Sequence, residues 1–173
     1  FESMKHFLKK NDKTSDEWNS LNIISENAST VGSFDLGLYK TEDGSNEVLK
    51  DLEDHKFDIV YLLGVDNLKF EKKNEFIIYQ GSHGDKGAEM ADIILPGAAY
   101  TEQNGYFTNL EGKLQKAYKA SYPPEEAKED WVIINELAET MNHRKLFNDK
   151  DELDSSLLNQ INLYIEKDIS TKS

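Results

Sequence analysis

The sequence predicts an α/β domain built on a short, mainly parallel sheet flanked by helices. Three apolar runs carry that prediction: FDIVYLLG at 57–64, EFIIYQG at 75–81 and ADIILPG at 91–97. None alternates cleanly, and Gly or Pro closes each one, as expected of parallel strands buried on both faces. Helical periodicities before and after these runs supply the flanking layers.

Thr14 and Glu17 have the spacing of a capping box, and Trp18, Leu21, Ile24, Ala28 and Val31 follow at helical intervals. Gly32 is the expected stop, and 33–45 reads as a loop. A shorter helix over NEVLKDLEDH places Val48, Leu49 and Leu52 on one face. The three strand runs come next, with Leu95 expected on an inner strand. Their connections are so short that any crossover helix must be brief. Asn104-Gly105 and Glu111-Gly112 are turn signals, and the second suits a junction between two antiparallel strands or between a strand and a loop. After Pro123 and Pro124, EEAKEDWVIINELAETM predicts a helix with acids in its first turn. Its apolar stripe is Trp131, Ile134, Ala138 and Met141. Leu153, Leu157, Ile161 and Ile165 recur every four residues and predict a last amphipathic helix.

Composition excludes several kinds of chemistry. No apolar stretch approaches the roughly 20 residues needed to cross a bilayer, so no direct membrane insertion is expected. With 33 acidic and 20 basic residues, the formal charge is -13. That balance argues against nucleic acid, whose phosphates demand basic surfaces. The chain holds no cysteine, so it has no disulfide, thiolate nucleophile or cysteine-ligated cluster. His6, His55, His83 and His143 lack a short ligand spacing, and no metal site is expected. The acids Asp12, Asp16, Asp149 and Asp151 fit helix starts. The chain begins at Phe1, which fits either removal of an import presequence or an incomplete chain.

The stretch IIYQGSHGDKGAEMADIILPG, 77–97, is the place to look for a site. A glycine-rich turn after a strand is where open α/β sheets bind phosphate. Here the spacing is GxxGxxG, neither GxGxxG nor GxxxxGK[ST], and Lys86 sits between glycines. The residues favour a tight turn between buried strands. His83 and Asp85 form a candidate acid–base pair without a nucleophile, since Ser82 lacks the GxSxG setting. No catalytic residue is assigned.

The longer run FIIYQGSHGDKGAEMADIILPGAAYTEQNGYFTNLEGKLQKA, with PPEEAKEDWVIINELAE after it, resembles the C-terminal part of the large, 75 kDa-type iron–sulfur subunit of respiratory NADH:ubiquinone oxidoreductase, complex I. The shared pattern includes Tyr79-Gln80-Gly81, His83, Gly84-Asp85, Gly87-Ala88, Ala91-Asp92, Leu95 through Glu102, Asn109, Glu111-Gly112 and Glu129-Asp130-Trp131. The resemblance covers about 16–141. It implies a molybdopterin oxidoreductase-like domain, placed over 1–145, and 146–173, outside the resemblance, reads from its residues as an acidic helical extension. Lys113 stands where the family usually has Arg, and the family's Cys-rich half is missing.

The resemblance implies a fold whose corresponding loop helps hold a pterin–guanine dinucleotide, and a complex I branch without molybdenum. Gln80, Gly81, His83, Gly84, Asp85 and Gly87 are then a vestigial nucleotide loop, and the chain carries no cofactor. Iron–sulfur clusters and FMN are expected on partner chains. The expected partners are the Cys-rich N-terminal half of the subunit and other peripheral-arm subunits. The expected location is the matrix side of the mitochondrial inner membrane, or the cytoplasmic face in a bacterium. The expected role is non-catalytic, as a C-terminal fragment or split half that supports electron transfer. The alternative is part of a genuine molybdopterin-dependent enzyme of the formate dehydrogenase kind.

Overall fold

A computed structural model describes residues 2–170 except 16–19, 21–23, 25, 26, 29, 39–43, 67 and 69, with backbone alone for 44–46 and 162–170. The described elements run α1 (Glu2–Lys10), α2 (Thr30–Asp35), α3 (Gly44–Glu53), β1 (Ile59–Leu63), β2 (Phe76–Gly81), α4 (Lys86–Met90), β3 (Ile93–Pro96), β4 (Gly105–Thr108), β5 (Leu114–Ala117), α5 (Asp130–Asn142) and α6 (Lys150–Ser170). The mixed α/β class with a short parallel sheet agrees with the sequence expectation.

The sheet has the order β1-β2-β3, and both pairings are parallel. The central strand β2 contributes Ile77, Tyr79 and Gln80, the most deeply buried large side chains. Burial on both faces is reached only at Tyr79 and Gln80 of β2. Val60, Leu62, Ile77 and Tyr79 share one face, packed against Val65, Leu68, Phe70, Ala88 and Met90. The other face leaves Ile59, Leu63, Phe76 and Ile93 exposed. Leu95 falls on the edge strand β3 and is half-buried, so it is not on the inner strand. Between β2 and β3 the crossover is the five-residue α4, as short as the spacing requires.

Beyond the sheet, β4 and β5 form an antiparallel hairpin. Its turn uses the left-handed conformation of Gly112, φ 78°, and the Asn109 carboxamide. Asn109 Oδ1 accepts from the amides of Glu111 (3.0 Å) and Lys113 (2.9 Å). That settles the second turn as a strand–strand junction.

Several helix boundaries differ from expectation. Glu17, Trp18 and Leu21 of the expected first helix lie outside the described residues. Ile24, Asn27 and Ala28 are not helical, and a helix begins only at Thr30. Gly32 lies inside α2, not at its end. The stop is Gly37, φ 65°, where Leu38 N donates to Ser33 O (2.9 Å) and Gly37 N to Phe34 O (2.9 Å). This six-to-one and five-to-two pairing satisfies the last carbonyls. The same cap ends α3, with His55 in the left-handed position at φ 55°. The helix α1 goes beyond the sequence expectation, although Met4, Phe7 and Leu8 have helical spacing.

The EDW helix starts at Asp130, later than the acidic run suggests. Residues 124–129 are not helical, because Lys128 bridges to Gly97 and extends the sheet. Its buried residues are Ile133, Asn135 and Ala138, while Met141 is exposed. Asn135 anchors the segment after the helix: its Oδ1 accepts from the amides of Leu146 (2.7 Å) and Phe147 (3.1 Å), and its Nδ2 donates to Phe147 O (2.9 Å). The helix α6 is tied back by Lys116 on β5, which reaches the buried Asp154 at 2.9 Å. Ile161 is buried, and Leu153 and Leu157 are half-buried. Nothing is described of the Ile165 side chain.

Candidate functional site

The loop 81–87 leaves the C-terminal end of β2, where an α/β sheet presents ligands. Its glycines have a local cause. A Cβ built on Gly81 would lie 2.3 Å from the Tyr79 hydroxyl, and one on Gly87 would lie 2.7 Å from both the Tyr79 ring and Val65 O. The loop therefore curls around Tyr79, whose ring occupies the space those glycines leave. Around Gly84 there is open space. The Tyr79 hydroxyl is directed at His83 O (3.0 Å) and Asp66 Oδ2 (3.1 Å). Burial, reinforced by Asp66, pushes its pKa up to about 12, so the phenol stays neutral at physiological pH.

Gln80 is fully buried on the opposite side of the strand. It accepts from the Tyr61 hydroxyl and donates to Asp130 Oδ1 (2.8 Å) and Asp130 O (3.2 Å). Gln103 completes the cluster, donating to Asp130 Oδ2 (2.9 Å) and accepting from Asp130 N (3.2 Å). The Tyr61 phenol is raised by burial and then by the Asp130 charge. These four side chains fasten the start of α5 to the sheet. Gly97 belongs to the same junction, since a Cβ there would lie 2.8 Å from Asp130 Oδ1.

The candidate pair His83 and Asp85, to which the sequence assigns no catalytic role, is engaged elsewhere. His83 is exposed and its Nδ1 meets Ser82 Oγ at 2.8 Å, while Asp85 accepts from Lys86 N at the start of α4 (2.8 Å). The cleft at this end of the sheet, about 690 Å³, is lined by Ser82, His83, Gly97, Glu102, Glu125 and Glu126 among others, and among the described residues no Lys or Arg lines it. Lys86 lines a separate depression with Phe70, Glu89 and Met90. Three carboxylates, with no lysine or arginine among the described lining residues, repel a phosphate rather than hold one. The residues present do not fit the diphosphate of a pterin dinucleotide.

Other shared motif residues also make internal bonds. Glu102 Oε2 accepts from Ala99 N (2.9 Å). Glu129 pairs with Lys119 (3.0 Å) and accepts from Trp131 Nε1 (3.1 Å). Among the described residues no group of three or more His, Asp or Glu is placed to hold a metal ion. Asp149 caps α6 through Glu152 N (2.9 Å), and Asp12 takes the left-handed position after α1. Asp16 lies outside the described residues. Sequence reasoning missed the Tyr61–Gln80–Asp130–Gln103 cluster. Its available signal was that Gln80 and Asp130 stand at polar positions beside apolar segments.

A parallel sheet with a glycine turn at its carboxyl end is the architecture of a nucleotide-site α/β protein, and a model of the molybdopterin oxidoreductase family matches residues 1–140. The chain belongs to that family. Its relatives place it in the complex I branch, as the large-subunit type of NADH:quinone oxidoreductase. It is 45% identical over 133 residues to the NADH-ubiquinone oxidoreductase 75 kDa subunit of Reclinomonas americana, covering 76% of this chain and 19% of that protein. It is 46% identical over 150 residues to an NADH-quinone oxidoreductase subunit of Rickettsia bellii, covering 86% and 21%. With the mitochondrial 78 kDa subunit of Candida albicans the identity is 43% over 137 residues, covering 78% and 18%. The chain thus spans about a fifth of the length of these relatives. Among the described residues no helix is long and apolar enough to cross a membrane.

Proposed function

We propose that the chain is a non-catalytic, structural portion of the peripheral, NADH-oxidising arm of complex I. It corresponds to a C-terminal fragment or split half of the large subunit, and the electrons travel on other chains. The observation that carries this reading is the occupation of the loop by Tyr79, beside a cleft walled by carboxylates. Several residues of the family pattern, among them Tyr79, Gln80, Gly97, Glu102 and Asp130, are engaged in internal packing and hydrogen bonds. Cysteine is absent from the chain, so the clusters, with FMN, belong to partners: the Cys-rich half and other peripheral-arm subunits. Mitochondrial and bacterial relatives support a place on the matrix side of the inner membrane, or its bacterial equivalent.

The test is affinity purification of the tagged chain from mild-detergent extracts, with identification of every co-purifying protein and of bound cofactors. A Cys-rich large-subunit polypeptide and NADH dehydrogenase activity are expected with it. A chain recovered without complex I subunits, or with stoichiometric pterin bound to it, overturns the reading.

A further inference from the structure

One face of the parallel sheet is covered over β1 and β2, with Ile94 of β3 exposed on it, and the other face is open. Val60, Leu62, Ile77 and Tyr79 are covered by Ala88 and Met90 of α4 and by Val65, Leu68 and Phe70. On the opposite face, the register sets Ile59 beside Phe76 and Ile78 beside Ile93. Ile59 is 64% exposed, Phe76 43% and Ile93 45%. Cover exists at one end of this face, where Gln80 is sealed by Asp130. Among the described residues β1 pairs with β2 alone, so its outer edge is open beside the same patch.

Parallel sheets are stable when helices cover both faces, because their strands are apolar on both sides. A contiguous apolar patch across three strands marks a docking surface. The occupant must be apolar at its centre, and basic at its rim to meet a chain of charge -13. A second copy of this chain would bring an equal negative charge against the first. The relatives extend far beyond the match, which spans 19 to 21% of two of them, so four-fifths of such a subunit is available to supply the cover.

We propose that the face of Ile59, Phe76 and Ile93 is where the remaining four-fifths of the large subunit docks, through an amphipathic helical surface with basic margins. This rests on the complex I reading and adds the surface to it. The interface completes the second layer of the sheet, so docking and completion of the fold are one event.

The chain has no cysteine, so a single introduced thiol reports on this face without background from the rest of the chain. Ile59→Cys, Phe76→Cys and Ile93→Cys are each incorporated into complex I, and maleimide labelling of this chain is compared between intact and detergent-denatured complex. Covering the face slows labelling by roughly tenfold or more. A photo-reactive maleimide on the same thiols then identifies the neighbour. Cross-links to the Cys-rich large-subunit polypeptide are expected. Unprotected thiols, or cross-links to a second copy of this chain or to a different subunit, overturn the proposal. If the unaltered chain is absent from complex I in the same extracts, the functional reading itself has failed, an outcome read before any labelling.

Discussion

Tyr79 and Gly81 are locked together: a Cβ on the glycine would sit 2.3 Å from the tyrosine hydroxyl and 2.6 Å from its Cζ. What reads as a phosphate-binding turn is, in three dimensions, a turn wrapped around an aromatic ring of its own strand. Gly81→Ala must displace that ring and should cost about 1–3 kcal/mol, as overpacking does. Tyr79→Leu should relieve most of the added penalty in a double-mutant cycle read by denaturant unfolding. Gly84→Ala, with open space around it, should be nearly neutral. Equal effects at Gly81 and Gly84, or no coupling to Tyr79, would refute the packing explanation.

Gln80 and Asp130 make a second prediction. Asp130→Ala removes the side-chain acceptor of the fully buried Gln80 carboxamide and leaves it only the Asp130 carbonyl and the Tyr61 hydroxyl, and a buried group short of a partner costs about 1–3 kcal/mol. The loss should appear as a lower midpoint in chemical unfolding and as faster amide exchange at the start of α5. Protection of α5 equal to that of the unaltered chain would show that the cluster does not anchor it.

Ile77 has no exposed surface, and Leu95 is half-buried on the edge strand. Ile77→Asp should therefore abolish folding, because it buries an unpaired charge. Leu95→Asp should leave a folded chain of reduced stability. Circular dichroism and thermal melts separate the two outcomes, and identical unfolding by both would contradict the assigned strand order.

Acid should weaken the fold through Glu75. The amide of Lys73, 2.8 Å away, and the His55 ring hold its carboxyl down at about 2, from an ordinary 4.5. An acid depressed on folding contributes fully above its unfolded value and loses that contribution as pH falls toward its folded one. Stability should therefore decline between about pH 4.5 and 2, with Asp92, also held low by Lys72 and the Ile77 amide, adding to the slope. Glu75→Gln should flatten this acid limb. For Tyr79 the sign reverses: its phenol is raised to about 12, so its contribution is complete below an ordinary 10 and fades between there and about 12. An unchanged acid limb in Glu75→Gln would remove Glu75 from the account.

The sheet was legible because its signals are local. Ile59–Leu63, Phe76–Gly81 and Ile93–Pro96 each lie within an apolar run bounded by a breaker. The open face was not legible, since a run buried on two sides and a run waiting for a partner have the same composition. Boundaries failed where tertiary contacts overrode propensity. Acids at 125 and 126 suggested a helix start, yet Lys128 is taken into the sheet by Gly97. Gly32 read as a stop, while Gly37 supplies the left-handed residue that ends α2. The site was half legible. Glycine spacing argued against a phosphate cradle, but the filling of that space by Tyr79 needed coordinates, as did the separation of Lys86 from the acidic cleft.

On the proposed reading this loop carries structure and no chemistry, and NADH:quinone turnover of assembled complex I bearing His83→Ala tests that most directly. His83 is exposed, with its Nδ1 on Ser82, so turnover per assembled complex should match the unaltered enzyme. A fully assembled variant whose turnover falls by about a hundredfold, the scale of a lost general acid or base, would overturn the reading.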